Sequence, residues 1–209
     1  MNKIGVLTSG GDAPGMSAAI KSFACSAISK GVEVVGILGG YSGLINNRLR
    51  PLTKNDVAGI ISLGGTYLYS DRCDEFKTEE GRAIGYETLK KEGIDALVVI
   101  GGDGALQDAL NGIMLSANCD SVTLGIVPNG IANDFARYWG LSVADYRNAV
   151  DCIMAHRVRK VDVGCCAYDT DAGGQKRYFI NVLNIGLSAH VVQIANKKST
   201  MFAKAVYRV

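Results

Sequence analysis

The chain has 209 residues, 48% of them hydrophobic, with a net charge of +2. That is enough for one large core, or for a domain plus a smaller segment. So small a net charge argues against nucleic acid as a partner, and no apolar run approaches the ~18–20 residues of a membrane helix. Six cysteines without a CxxC pair fit a reduced, cytoplasmic protein. The Ser-Gly-Gly-Asp run at 9–12 comes too early for a signal peptide's apolar region.

Lys3–Leu7 reads as a first strand, opening into Thr8-Ser9-Gly10-Gly11-Asp12-Ala13-Pro14-Gly15. Such a loop offers backbone donors, hydroxyls and a helix start. Met16–Ser29 is expected to be helical and to end at Gly31, and Glu33–Leu38 to be a second strand leading into a glycine-rich loop over Gly39–Leu44. Asn55–Ser62 is expected to form a short helix, followed by Gly64-Gly65-Thr66 and the polar loop Ser70–Phe76. Thr78–Glu92 reads as a charged amphipathic helix delivering the chain to Ala96–Ile100, a β-branched run suited to a central parallel strand.

That strand meets Gly101-Gly102-Asp103-Gly104, and a helix is expected over Leu106–Leu115. Glycines at a strand's carboxyl end let backbone approach a phosphate, and a helix N-terminus adds free N–H groups and a positive dipole end. Asp103 there is a candidate ligand for a magnesium ion on nucleotide phosphates, or else the capping residue of a tight turn. Two glycine-rich loops, each after a parallel strand, are stronger than one. Leu124–Val127 is a further strand and Asp145–His156 a helix. Strands alternating with helices of ten or more residues imply an α/β fold with a doubly wound, mostly parallel sheet.

Residues 1–104 resemble ATP-dependent 6-phosphofructokinases through Ile4–Met16, Gly64–Thr66, Arg72–Thr78 and Leu97–Gly104. The resemblance implies an ATP pocket formed by Gly11, Tyr41, Arg72, Cys73, Gly102, Asp103, Gly104 and Ala105, with Asp103 holding Mg2+ and fructose 6-phosphate as acceptor. Arg72 suits phosphate on physical grounds, as a permanently charged fork. Lys21 matches a basic effector position of that family, whereas Cys25 stands where another basic group is expected.

Beyond Gly104 the wording changes. Pro128-Asn129-Gly130-Ile131-Ala132-Asn133-Asp134-Phe135-Ala136-Arg137, then Arg159–Gly164 and Tyr178–Val182, resemble diacylglycerol kinase-like lipid kinases. By these resemblances residues 1–157 form the nucleotide-binding domain, 1–104 phosphofructokinase-like and 105–157 diacylglycerol kinase-like. Residues 158–209 are then an incomplete second-domain β segment, with unpaired edges that favour a homo-oligomer.

Ala132 occupies the position of the phosphofructokinase catalytic aspartate, Ala105 lacks the hydroxyl both families place there, and Ile131 replaces a lipid-kinase threonine. Asp134 remains as a catalytic or metal-assisting carboxylate, or as a helix cap. Three functions follow: a sugar-phosphate kinase, a lipid kinase, or a nucleotide-binding chimera or pseudoenzyme without turnover. His156 and His190 read as surface or helix-end histidines, Lys197 and Lys198 as solvated, and Cys165 and Cys166 as buried thiols in a strand.

Overall fold

The computed structural model describes residues 2–12, 15–115, 119, 123–130, 132–171, 173–183 and 186. A five-stranded sheet organises them, built from β1 (Lys3–Thr8), β2 (Glu33–Ile37), β3 (Leu49–Leu52), β4 (Ala96–Gly101) and β5 (Gly125–Pro128). Its order is β3-β2-β1-β4-β5, with β3 antiparallel to β2 and every other pairing parallel. Ile4 lies beside Val34 on one side and Ala96 on the other, which fixes the register of the three central strands.

The central strands are apolar without a break because both of their faces are covered. Successive side chains alternate between faces, so one strand feeds two cores. Ile4 and Val6 of β1, with Val98 and Ile100 of β4, pack against Met16, Ile20 and Phe23 of α1 (Met16–Ser29). Leu7 and Val99 point the other way, into a cluster with Tyr41, Leu44, Phe76, Ala105 and Ala109. That second cluster draws on α2 (Gly40–Ile45) and α4 (Asp103–Met114), and Leu89 of α3 (Glu79–Lys91) packs against it.

Helix α3 is legible in its own residues. The Thr78 hydroxyl accepts the Gly81 N–H at 3.0 Å, Glu79 and Glu80 occupy the first turn, and Lys90 and Lys91 the last. A hydroxyl cap, acids at the positive end and bases at the negative end each stabilise such a helix.

Beyond three short 3-10 turns, the other described elements are α5 (Asp134–Tyr138), α6 (Tyr146–Met154) and an antiparallel hairpin, β6 (Gly164–Thr170) with β7 (Gly173–Phe179). Helix α6 packs with α1 through Val150 and Ile153. The hairpin docks on α4, whose buried Asn111 is bonded to the backbone of Tyr178 at both ends: Oδ1 accepts the N–H and Nδ2 donates to the carbonyl, each at 2.9 Å.

Several expectations are corrected. Gly40–Ile45 is a helix rather than a loop, because Tyr41 and Leu44 bury against the sheet and Gly43 lets the turn close on the Leu38 carbonyl. Asn55–Ser62 is not one helix: turns lead to a single 3-10 turn, Ile60–Ser62. Helix α4 begins at Asp103, so Asp103 and Gly104 are its first turn rather than loop. Helix α6 stops at Met154, and His156 follows it in a left-handed conformation (φ 50°). Strand β3 was not anticipated. Cys165 is exposed and Cys166 half-buried, because the hairpin leaves much of its surface open.

Candidate functional site

The order β3-β2-β1-β4-β5 makes the gap between β1 and β4 the point where the chain switches direction across the sheet. In open α/β sheets ligands bind outside the carboxyl ends of the strands at that point. Both glycine-rich loops converge there. The Ser9 N–H donates to Ile100 O at 3.1 Å, and the Asn129 N–H to Gly101 O at 2.8 Å, bringing the ends of β1, β4 and β5 together.

The β1 loop gathers two other segments. Ser9 pairs with Asp71 as an isolated parallel bridge, and the Thr8 hydroxyl donates to Tyr69 O at 2.5 Å. This brings the exposed Arg72 to Gly11: a Cβ at Gly11 would stand 3.9 Å from an Arg72 terminal nitrogen. Cys73 is half-buried against the second core cluster. On the other side, the Thr66 hydroxyl donates to the Asp12 carboxylate and Ser17 Oγ to Gly65 O at 3.1 Å, so Gly64–Thr66 closes on the same loop. The Gly-Gly-Thr word was the only sequence signal for that contact.

Helix α1 begins without a side-chain cap hydrogen bond and without an acidic residue in its first turn, as suits the approach of an anion. Helix α4 likewise has no side-chain cap. Gly101 and Gly102 are required by crowding: a Cβ at Gly101 would lie 2.8 Å from Ser9 O, and one at Gly102 2.9 Å from the Gly130 Cα. Gly104 differs. It is exposed, and a Cβ there would meet nothing among the described residues within 4 Å.

Asp103 is half-buried, and its carboxylate receives two backbone donors from α5. The Asp134 N–H reaches Oδ2 at 3.1 Å and the Phe135 N–H reaches Oδ1 at 3.2 Å. Each oxygen keeps acceptor capacity, since an ionised carboxylate has about four lone-pair sites. Asp134 itself is exposed and pairs with Arg137. Ala132 is half-buried beside it.

Tyr41 and Ala105, two residues expected to line a pocket, are 1% and 6% exposed. The Tyr41 ring stacks on Phe76 with centroids 4.1 Å apart, and its hydroxyl donates to Ala105 O at 2.9 Å. Both residues support the site from within the core. Lys21 donates to Ala58 O at 2.6 Å. His190, Lys197, Lys198 and Ile131 lie outside the described residues.

One charged cluster was not anticipated. Asp108, on α4 one turn past Gly104, is surrounded by Lys77, Arg177, Arg82 and Asp74. Burial raises its carboxyl above the ordinary value, and the three cations pull the other way. Burial likewise lowers the Arg82 guanidinium, with Arg177 adding to the effect, and among the described residues the buried Arg82 Nε has no hydrogen-bond partner. A lone Asp inside the apolar pattern of α4 was the available sign.

Among the described residues no group of three or more His, Cys, Asp or Glu could cage a metal. The Asp103 carboxylate, with acceptor capacity left on both oxygens, fits magnesium carried by a nucleotide, which takes one or two carboxylates and completes its shell with phosphates and water.

Residues 3–138 match the phosphofructokinase family. The chain belongs to that family. The phosphofructokinase match runs past Gly104 and through the Pro128–Asp134 loop to Tyr138, so it does not break at the junction expected from the sequence. An ATP-dependent 6-phosphofructokinase of Bacillus pumilus is 48% identical over 154 residues, covering 73% of this chain and 48% of that protein. One from Staphylococcus carnosus is 42% identical over 184 residues, covering 88% and 53%. The crystal structure of Pichia pastoris phosphofructokinase in the T-state superposes with a TM-score of 0.58 at 36% identity, over 64% of this chain and 16% of that one. The chain spans about half the length of the bacterial relatives it matches. Among the described residues no helix is long and apolar enough to cross a membrane.

Proposed function

We propose that this phosphofructokinase-family chain binds ATP with magnesium at the β1–β4 switch point and belongs to a phosphotransferase acting on a sugar phosphate, fructose 6-phosphate. The observation that carries the reading is the convergence of Gly11 and Arg72 with the Asp103–Gly104 helix start. Phosphates approach the backbone at Gly11 and the open face of Gly104, where free N–H groups and the dipole of α4 favour negative charge. Arg72 adds a guanidinium fork.

Asp103 is the residue that would hold magnesium, whose chemistry when bound is neutralisation of charge on the transferring phosphoryl group. Gly102, Cys73, Tyr41 and Ala105 shape the floor. Asp134 is the carboxylate assigned to the acceptor side, in place of one at Ala132. Phosphoryl transfer depends mainly on positioning and charge, and a missing general base costs a factor of ~10²–10⁴ in rate.

In this reading residues 1–157 are the nucleotide-binding domain and 158–209 part of a second, in a cytoplasmic and oligomeric protein. The Pro128–Arg137 wording supports a lipid acceptor as the second reading.

The test is calorimetric titration of ATP with and without Mg2+, followed by assays of ADP formation with fructose 6-phosphate and with diacylglycerol. Magnesium-dependent binding with turnover on the sugar phosphate is the expected result. Turnover on diacylglycerol alone replaces the acceptor. Binding without turnover on either leaves a nucleotide-binding module, and no binding overturns the reading.

A further inference from the structure

Asn133 is 5% exposed and holds a left-handed backbone, φ 51° and ψ 44°. Few residues with a side chain adopt that conformation, asparagine foremost among them. Both ends of its amide engage one residue. Oδ1 accepts the Gly130 N–H at 2.8 Å, and Nδ2 donates to Gly130 O at 2.7 Å. Only glycine at 130 permits this, because a Cβ there would lie 2.9 Å from Asn133 Oδ1 and 2.4 Å from the Gly102 Cα. Gly130, held by this clamp at the end of β5, lies against Gly102, the residue before Asp103.

The next two residues show what the clamp aims. The N–H groups of Asp134 and Phe135 leave the left-handed turn directed at Asp103, one on each carboxylate oxygen. A carboxylate rotates about two bonds. One donor on each oxygen fixes its plane and leaves lone pairs on both oxygens for a hard cation.

We propose that Asn133 is a positioning residue for Asp103 as the magnesium ligand, acting through the amides of Asp134 and Phe135 and touching neither metal nor nucleotide. This rests on the nucleotide reading above. Partners that orient a metal ligand commonly contribute ~10–100-fold to metal affinity, which is the range assigned to this clamp.

The test compares the full-length wild type with Asn133→Gly and Asn133→Asp. Glycine adopts the left-handed turn freely and removes only the clamp. Aspartate tolerates the turn and keeps an acceptor for the Gly130 N–H. ATP affinity is measured in EDTA and across a Mg2+ titration, and exchange of the Asp134 and Phe135 amides is followed without ligand. In Asn133→Gly the Mg2+ requirement for ATP binding should rise about tenfold or more. Affinity in EDTA should stay unchanged and the two amides should exchange faster. Asn133→Asp should fall between that variant and wild type.

An Asn133→Gly protein that is folded and keeps the wild-type Mg2+ requirement overturns the positioning role. So does one that loses ATP affinity equally in EDTA, which marks a purely structural residue. A wild type whose ATP binding ignores Mg2+ overturns the nucleotide reading itself, and this inference with it.

Discussion

The Tyr41 hydroxyl donates to the Ala105 carbonyl at 2.9 Å, joining α2 to the first turn of α4 beneath the glycine-rich turn. Burial raises the Tyr41 phenol well above its ordinary value, and the nearby Asp108 charge adds to this. The unfolded chain ionises near pH ~10 while the folded one resists. The stability this tyrosine contributes is therefore complete below pH ~10 and lost as pH rises above it. Tyr41→Phe should cost about 0.5–1.5 kcal/mol at neutral pH, the usual worth of one hydrogen bond. It should also flatten the alkaline limb of a denaturation series. An alkaline limb as steep as the wild type's would place the responsible group elsewhere.

Asn111 ties the hairpin to α4. Its side chain is 4% exposed, and it supplies the bonds that a neighbouring strand would give to the Tyr178 backbone. Asn111→Leu fills similar volume but leaves the Tyr178 N–H without its acceptor, at about 1–3 kcal/mol for a group left unsatisfied, while Gln107 Nε2 still donates to the Tyr178 carbonyl. The amides of Gly164–Thr170 and Gly173–Phe179 should then exchange ahead of those in Ala96–Gly101. If the hairpin keeps its wild-type protection, the Gln107 contact to Tyr178 suffices alone.

Asp108 sets a pH dependence of the same origin, burial, at the acidic end of the range. Its folded carboxyl is raised above the unfolded value because burial outweighs Lys77, Arg177 and Arg82, with Asp74 reinforcing the rise. A raised acid stabilises the fold below the unfolded value, near pH ~4, and that contribution is lost as pH climbs through the folded value. Asp108→Asn should therefore gain on wild type between about pH 4 and neutrality, measured as the difference in urea midpoint at each pH. A difference that shrinks over that range would mean that the cations dominate.

The sequence was most informative where local chemistry decides structure. Thr78 and the charges around it announce α3, and the β-branched run before Gly101 announces β4. Helix α2 was hidden because Gly40, Ser42 and Gly43 are poor helix formers, and burial of Tyr41 and Leu44 holds it instead. Strand β3 carries Pro51 in a four-residue edge strand, where a period of two leaves little trace. The bonds from Asp134 and Phe135 to Asp103 span 31 and 32 positions, so no local pattern could reveal them. Asp103 and Asp134 were both candidates from sequence. That one orients against the other's backbone was not legible.

Two glycines of the site separate crowding from ligand access. At Gly130 a Cβ would meet the Gly102 Cα at 2.4 Å, so Gly130→Ala must push the β4 and β5 turns apart. Overpacking of this kind costs about 1–3 kcal/mol, and a melting-temperature drop should report it. At Gly104 a Cβ meets nothing among the described residues within 4 Å, and the residue lies inside the first turn of α4. Alanine there should stabilise the folded chain by about 0.5–1 kcal/mol, since a helical glycine loses more backbone freedom than alanine. If phosphates approach the backbone at Gly104, the same methyl group stands in their path, and ATP affinity should fall although stability rises. A Gly104→Ala protein that is more stable and binds ATP as tightly as wild type would show that the phosphates lie elsewhere. Stability and affinity moving in opposite directions is the signature of open space kept for a ligand, because a purely structural glycine moves both the same way.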